Sequence, residues 1–120
     1  RDLLAHPEKA LPGSDSASAA DAKFTKYIFG GNNQDGLAKG RAFSSRLGYN
    51  ADNWQDMQKE IISSAAKYPA QYRNSTAYGK QYSQDVILYG KTGNPANVRI
   101  GWIVHPDGTA YMVTAHVKEI

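Results

Sequence analysis

The sequence predicts an α+β domain in which N-terminal helices pack on a small twisted antiparallel β-sheet. Three observations carry this. Apolar residues recur at helical spacing in three segments between Ala19 and Tyr68. Beyond Asn74-Ser75 the period falls towards two, as a half-buried strand requires. A turn of strong hairpin chemistry, His105-Pro106-Asp107-Gly108-Thr109, then joins the last two alternating runs.

Residues 1–20 (RDLLAHPEKALPGSDSASAA) read as a flexible arm or linker, because Pro7, Pro12, Gly13 and the Ser/Ala run oppose a long regular element. Residues 21–120 read as a single domain. A short helix is expected over Ala19–Phe29, with Phe24, Tyr27 and Ile28 as its apolar contacts and Gly30-Gly31-Asn32-Asn33 as its stop. A second spans Gly36–Leu47. Asp35 caps its start, Phe43 and Leu47 stand at i, i+4, Ala38 and Ala42 extend the buried face, and Gly48 follows its end. A third covers Asp52–Tyr68. Asp52 and Gln55 give a start signal, Trp54, Met57, Ile61, Ala65 and Tyr68 form the stripe, and Pro69 closes it.

Three strands follow: Tyr78–Tyr89, Val98–His105 and Thr109–Val117. Val98, Ile100, Trp102 and Val104 share one face and Arg99 the other. If His105 pairs with Thr109, simple counting sets Trp102 opposite Met112, Ile100 opposite Thr114 and Val98 opposite His116. That register puts Trp102, Thr114 and His116 on one face.

The chain of 120 residues is long enough for one core, and 41% apolar with 21% charged is ordinary globular composition. With no cysteine it has neither a disulfide framework nor a Cys-ligated metal site, and the usual zinc deaminase centre is excluded. No apolar run is long enough to span a membrane. The start at Arg1 rather than Met is read as a piece of a longer polypeptide. The net charge of +3 is compatible with a polyanionic partner without requiring one. Only three Glu occur, at positions 8, 60 and 119, and no pair of acids sits at metal-ligand spacing near a His, so a two-metal nuclease has no carboxylate cluster to build on. No cofactor motif is present: there is no Walker loop, nucleophile elbow or HExxH.

RNA can be cut without a metal, because its own 2′-hydroxyl attacks the adjacent phosphate once a base, an acid and phosphate-stabilising donors surround it. Imidazole suits the proton transfer. Of the three His, His6 lies in the arm and His105 at a turn, whereas His116 lies on a strand two residues from Thr114. The cluster Lys39-Gly40-Arg41 supplies cations on the second helix. Lys39 and Arg41 diverge there by about 200°, so one of them, Lys39, is the one read as reaching the sheet. Arg99 adds a phosphate contact from the neighbouring strand. Tyr78 and Tyr82 are candidate stacking surfaces for bases.

The order KYIFGG, GLAKGRAFSSRLGYNADNW, YGKQY and VRIGWIVHPDGTAYMVTAHV resembles small nucleases of the barnase/EndoU/colicin/RelE fold over about Lys23 to Val117. Within that fold it is similar to C-terminal toxin domains of bacterial contact-dependent growth inhibition effectors and to colicin D-type ribonuclease domains. The resemblance implies a metal-independent ribonuclease, a tRNA endonuclease carried by a larger secreted or surface-delivered protein and acting in the target-cell cytoplasm. It implies a cognate immunity protein that covers the active site. Carried over by position, it assigns His116, Lys39, Thr114 and Arg99 to catalysis and Arg41, Trp102, Tyr78 and Tyr82 to substrate binding. In such tRNases the catalytic His often stands in or near a helix, whereas His116 stands on the last strand, so the general base is left open. The alternatives are a non-catalytic RNA- or protein-binding module of the same fold and another toxin enzyme such as an ADP-ribosyltransferase.

Overall fold

The computed structural model describes residues 11–13, 17–30, 34–93 and 95–118. Helices come first and a four-stranded antiparallel meander follows. Helix α1 spans Asp21–Lys23 and runs on as a π-helix over Phe24–Ile28. Then come α2 (Gln34–Leu47) and α3 (Trp54–Ala65), and strands β1 (Ala70–Thr76), β2 (Gly79–Leu88), β3 (Ala96–Val104) and β4 (Ala110–Val117), in spatial order β1-β2-β3-β4. This is the small α+β domain the periodicities predict.

The helices cover one face of the sheet. Phe24, Ile28, Phe43, Leu47, Met57 and Ile61 meet Val86, Leu88, Val98, Ile100 and Trp102, all of them buried. Trp54 stacks on Phe24 with ring centroids 5.6 Å apart and lids this core. The π-helical turn is closed by Phe29 N–H donating to Phe24 O at 2.8 Å, five residues back.

Helix α2 begins at Gln34, so Asp35 stands inside its first turn rather than at the cap; the Asp35 side chain lies outside the described residues. Its buried stripe also differs from the expected one. Ala38 is exposed, and the residues that face inward are Gly36, Gly40, Phe43 and Leu47. A Cβ on Gly40 would sit 1.9 Å from Ile28 O, and one on Gly36 would sit 2.2 Å from Tyr27 O. These glycines therefore let α2 lie directly on the backbone of the π-helical turn, where alanine would force the two apart. Gly48, with φ 77°, ends the helix, and its N–H donates to Ser44 O at 3.0 Å.

Helix α3 starts two residues later than Asp52 and ends three before Tyr68. The Asp52/Gln55 pair does not cap it. Instead Asn50 Oδ1 accepts the N–H groups of Asp52 and Asn53, and Asn53 Oδ1 accepts that of Asn50 at 2.7 Å. The Asn side chains compete successfully because each reaches a free N–H of the turn that precedes the helix.

Strand β1 was not anticipated. Its residues after Ala70 are all exposed, since it is a sheet edge, and they carry no apolar alternation to reveal it. Part of the segment read as an arm is packed against the domain. Leu11 and Ala19 are buried, and Ser18 forms a parallel bridge to Tyr111, donating to Ala110 O at 2.9 Å and accepting from Met112 N–H at 2.8 Å. The free edge of β4 draws this segment in because its backbone groups need partners. His6 lies outside the described residues.

The β3–β4 turn has the expected chemistry. Gly108 takes φ 90°, and His105 N–H donates to Thr109 O at 3.0 Å. The register past it does not follow simple counting. Trp102 pairs with Met112, but Gly101 pairs with Thr114 and Arg99 with His116. Val113 is an extra residue, a bulge. A second bulge at Arg73 interrupts β1, where Tyr72 pairs with Tyr82 but Asn74 with Gln81. Both bulges adjoin the Tyr82–Trp102 pair, one on each outer strand.

Candidate active site on the uncovered face of the sheet

The β4 bulge decides which side chains meet. Trp102 points into the helix-side core at 1% exposure, while Thr114 and His116 emerge on the opposite face. The expectation that all three share a face is thus corrected, because one inserted residue flips every position beyond it. Trp102 Nε1 donates to Gln84 Oε1 at 3.0 Å within the core, and the residue also lines the groove on the far side.

On the uncovered face, Asp85, Arg99 and His116 form one row across β2, β3 and β4, and Ser83, Gly101 and Thr114 form the next. Gly101 has no side chain, and a Cβ there would meet Thr114 Cγ2 at 3.1 Å. The result is a shallow groove of about 250 Å³, bordered by Arg73, Ser83, Arg99, Thr114 and His116 with Gly101 as its floor.

Lys39 reaches the edge of this groove, at Thr114, from α2. Because Gly36 and Gly40 seat that helix on the turn of Tyr27 and Ile28, the Lys39 ammonium arrives at the edge of β4. There Nζ donates to Thr114 Oγ1 at 2.8 Å and to Tyr27 OH at 3.0 Å. The Tyr27 ring centroid is 5.1 Å from Nζ, farther than the hydroxyl, so the hydrogen bond defines the contact better than a cation–π geometry does.

Arg99 is held by Asp85. Its Nε donates to Oδ1 at 2.8 Å and its Nη2 to Oδ2 at 3.3 Å, and Lys118 Nζ also reaches Oδ2 at 3.0 Å. The Arg99 guanidinium foremost, then Lys118, pulls the Asp85 carboxyl down to about 2 against the cost of its partial burial. Arg73 Nε donates to Ser83 Oγ at 2.8 Å from the β1 bulge. Two cations thus hold Asp85, while Arg73 and Lys39 are held by nearby hydroxyls. His116 is half-buried beside them. Burial first, and then the Lys39 and Arg99 charges, lower its pKa from the ordinary 6.5, with Asp85 opposing. The ring is therefore neutral at pH 7.

A testable consequence concerns acid stability. A His whose folded pKa lies below its unfolded value adds stability above the unfolded value, and that stability is lost as pH falls through the folded one. Thermal stability is expected to decline between about pH 7 and pH 5, and to decline less in His116→Gln. Melting curves across that range check it; equal slopes in the two proteins refute it.

Arg41 and Tyr78, also expected at the site, fall elsewhere. Arg41 is exposed and lines a different groove with Phe29, Leu37 and Asn50, turned away from Lys39 as the helical angle requires. Tyr78 is 74% exposed at the β1–β2 turn, five residues and about 16 Å along the strand from Ser83. Tyr82 alternates with Gln84 and packs edge-on against Tyr72 with centroids 5.7 Å apart, yet it also borders the groove. Of the eight expected site residues, His116, Thr114, Arg99, Trp102 and Tyr82 line the groove, and Lys39 joins at its edge through Thr114. The groove adds Arg73, hidden with the unrecognised β1, and Ser83 and Gly101 on the expected strands; Tyr27, whose helical spacing marked it only as an apolar contact, joins through Lys39.

Among the described residues no group of three or more His, Asp or Glu is placed to hold a metal ion, and no helix is long and apolar enough to cross a membrane.

Fold and site together define a small α+β domain with a cationic groove on the uncovered face of its sheet. The chain belongs to the family described as Domain of unknown function (DUF6883), which matches residues 10–119. Neither a curated protein nor a solved structure matches it.

Proposed function

We propose that this domain is a metal-independent ribonuclease that cuts tRNA, the toxin part of a larger secreted effector, neutralised by a cognate immunity protein covering the groove. The observation that carries the reading is the grouping of a neutral imidazole, His116, with Thr114 and Arg99 along one groove, and of Lys39 hydrogen-bonded to Thr114 at its edge. The sequence resemblance to tRNase toxin domains supplies the substrate and the setting.

In this mechanism His116 takes the proton of a 2′-hydroxyl as its oxygen bonds to the adjacent phosphorus. The P–O5′ bond breaks, leaving a 2′,3′-cyclic phosphate and a 5′-hydroxyl. The departing 5′-oxygen takes its proton on the Lys39 side, from the ammonium. Thr114 accepts from Lys39, so its own O–H is free to donate to a phosphoryl oxygen. Arg99 has five N–H donors and gives two to Asp85, leaving three for the same charge. A shallow groove admits splayed, unpaired nucleotides such as those of tRNA loops rather than a duplex.

Incubation with unfractionated tRNA in EDTA is expected to give fragments ending in 2′,3′-cyclic phosphate. A single 2′-deoxy substitution at the cleaved nucleotide is expected to abolish the cut, since the attacking oxygen is then missing. Intact tRNA at micromolar protein would favour the non-catalytic binding module instead, and cleavage of the deoxy substrate would exclude this chemistry.

A further inference from the structure

A second groove, of about 560 Å³, opens between β4 and the first helix, lined by Ala20, Ala22, Lys23, Tyr27 and Lys39. It shares Val113 and Thr114 with the sheet groove, so the β4 bulge is the ridge between the two. Lys39 stands on the second side, His116 on the first, and Thr114 on both. The second groove has the apolar walls of Ala22 and Val113 and the edge of an aromatic ring, a lining suited to the face of a nucleobase. Lys23, half-buried there, has no ion-pair partner among the described residues. The nearest acid on its helix, Asp21, accepts from Gln58 Nε2 at 2.8 Å.

We infer that a single RNA strand crosses the Val113 ridge, with the nucleoside 5′ to the reacting phosphate in the sheet groove and the nucleoside 3′ to it in the groove of Tyr27 and Lys23. The inference rests on the ribonuclease reading for its polarity. The base His116 must meet the 2′-hydroxyl, which belongs to the 5′ nucleoside, and the leaving oxygen belongs to the 3′ nucleoside on the Lys39 side. The occupant follows from continuity of the two grooves and from the match of Lys23 and Lys39 to a polyanion.

The test is binding rather than cleavage. The probes are fluorescent 2′-deoxy trinucleotides, which cannot be cut by this route, with all bases present or with an abasic sugar at the 3′ end or at the 5′ end. Anisotropy is expected to show the intact probe binding about tenfold more tightly than the 3′-abasic one. In Ala22→Phe, where an exposed alanine is enlarged to fill the second groove, the intact and 3′-abasic probes are expected to bind alike, while the penalty for the 5′-abasic probe is unchanged. Equal binding of intact and 3′-abasic probes by the unaltered protein, or full discrimination retained in Ala22→Phe, would overturn the inference. Discrimination in binding without cleavage of RNA would instead sink the ribonuclease reading and leave the two grooves standing.

Discussion

Replacing His116 by alanine is expected to slow tRNA cleavage about 10²–10⁴-fold, the range that a positioned proton-transfer group contributes. Nothing else in the groove does the same work at neutral pH. Asp85 is held by Arg99 and Lys118 and is too weak a base, and the remaining neighbours are cations or hydroxyls. Among the described residues no hydrogen bond ties the His116 ring, so its removal leaves no buried polar partner stranded and the fold is expected to persist. Lys39→Met is expected to cost about 10²–10³, the scale of one donor aimed at developing negative charge. It also frees Tyr27 and Thr114 of their shared donor. Rates on a denaturing gel, with far-UV circular dichroism to verify folding, check both. If His116→Ala cuts as fast as the parent, the site is misassigned even if the activity is real.

The largest effect on stability is expected from Trp102→Ala, about 3–5 kcal/mol for the lost ring in a close-packed core. The ring also satisfies Gln84, which is 1% exposed and sits between the sheet and the end of α3. Gln84 Nε2 donates to Ala65 O at 3.0 Å and to Tyr68 O at 2.8 Å, and its Oε1 accepts from the indole. Taking away the indole strands that acceptor, so even Trp102→Phe, which keeps most of the apolar contact, is expected to cost about 1–3 kcal/mol. Urea titration of the three proteins measures this. A loss under about 1 kcal/mol in the alanine variant would mean that the core closes around the gap far better than cores usually do.

The helices were legible because Met57, Ile61 and Ala65, or Phe43 and Leu47, keep a spacing that only a helix brings to one face. The last three strands were legible for the equivalent reason. β1 was not, because Gln71, Arg73, Asn74 and Ser75 bury nothing and so leave no periodic trace. The site was half legible. Lys39, Arg99, Thr114 and His116 stand out as reactive types, but whether Trp102 shares a face with Thr114 and His116 turns on one bulged residue, and Val113 looks like any other strand valine. Bulges are fixed by how two strands meet, which single-strand alternation does not contain. The inner part of the leading segment was misjudged because its hold on β4 runs through backbone groups of Ser18, which no side-chain pattern reports.

The seam between α2 and the turn before it makes the reach of the Lys39 ammonium depend on what Gly36 and Gly40 lack. Neither touches the groove, and neither has an atom that reacts, yet each missing methyl sets how near the cation stands to Thr114. Two hydrogen atoms where other residues carry carbon thus act as the distance gauge of the site, and a survey for functional positions that scores only reactive groups would pass both by.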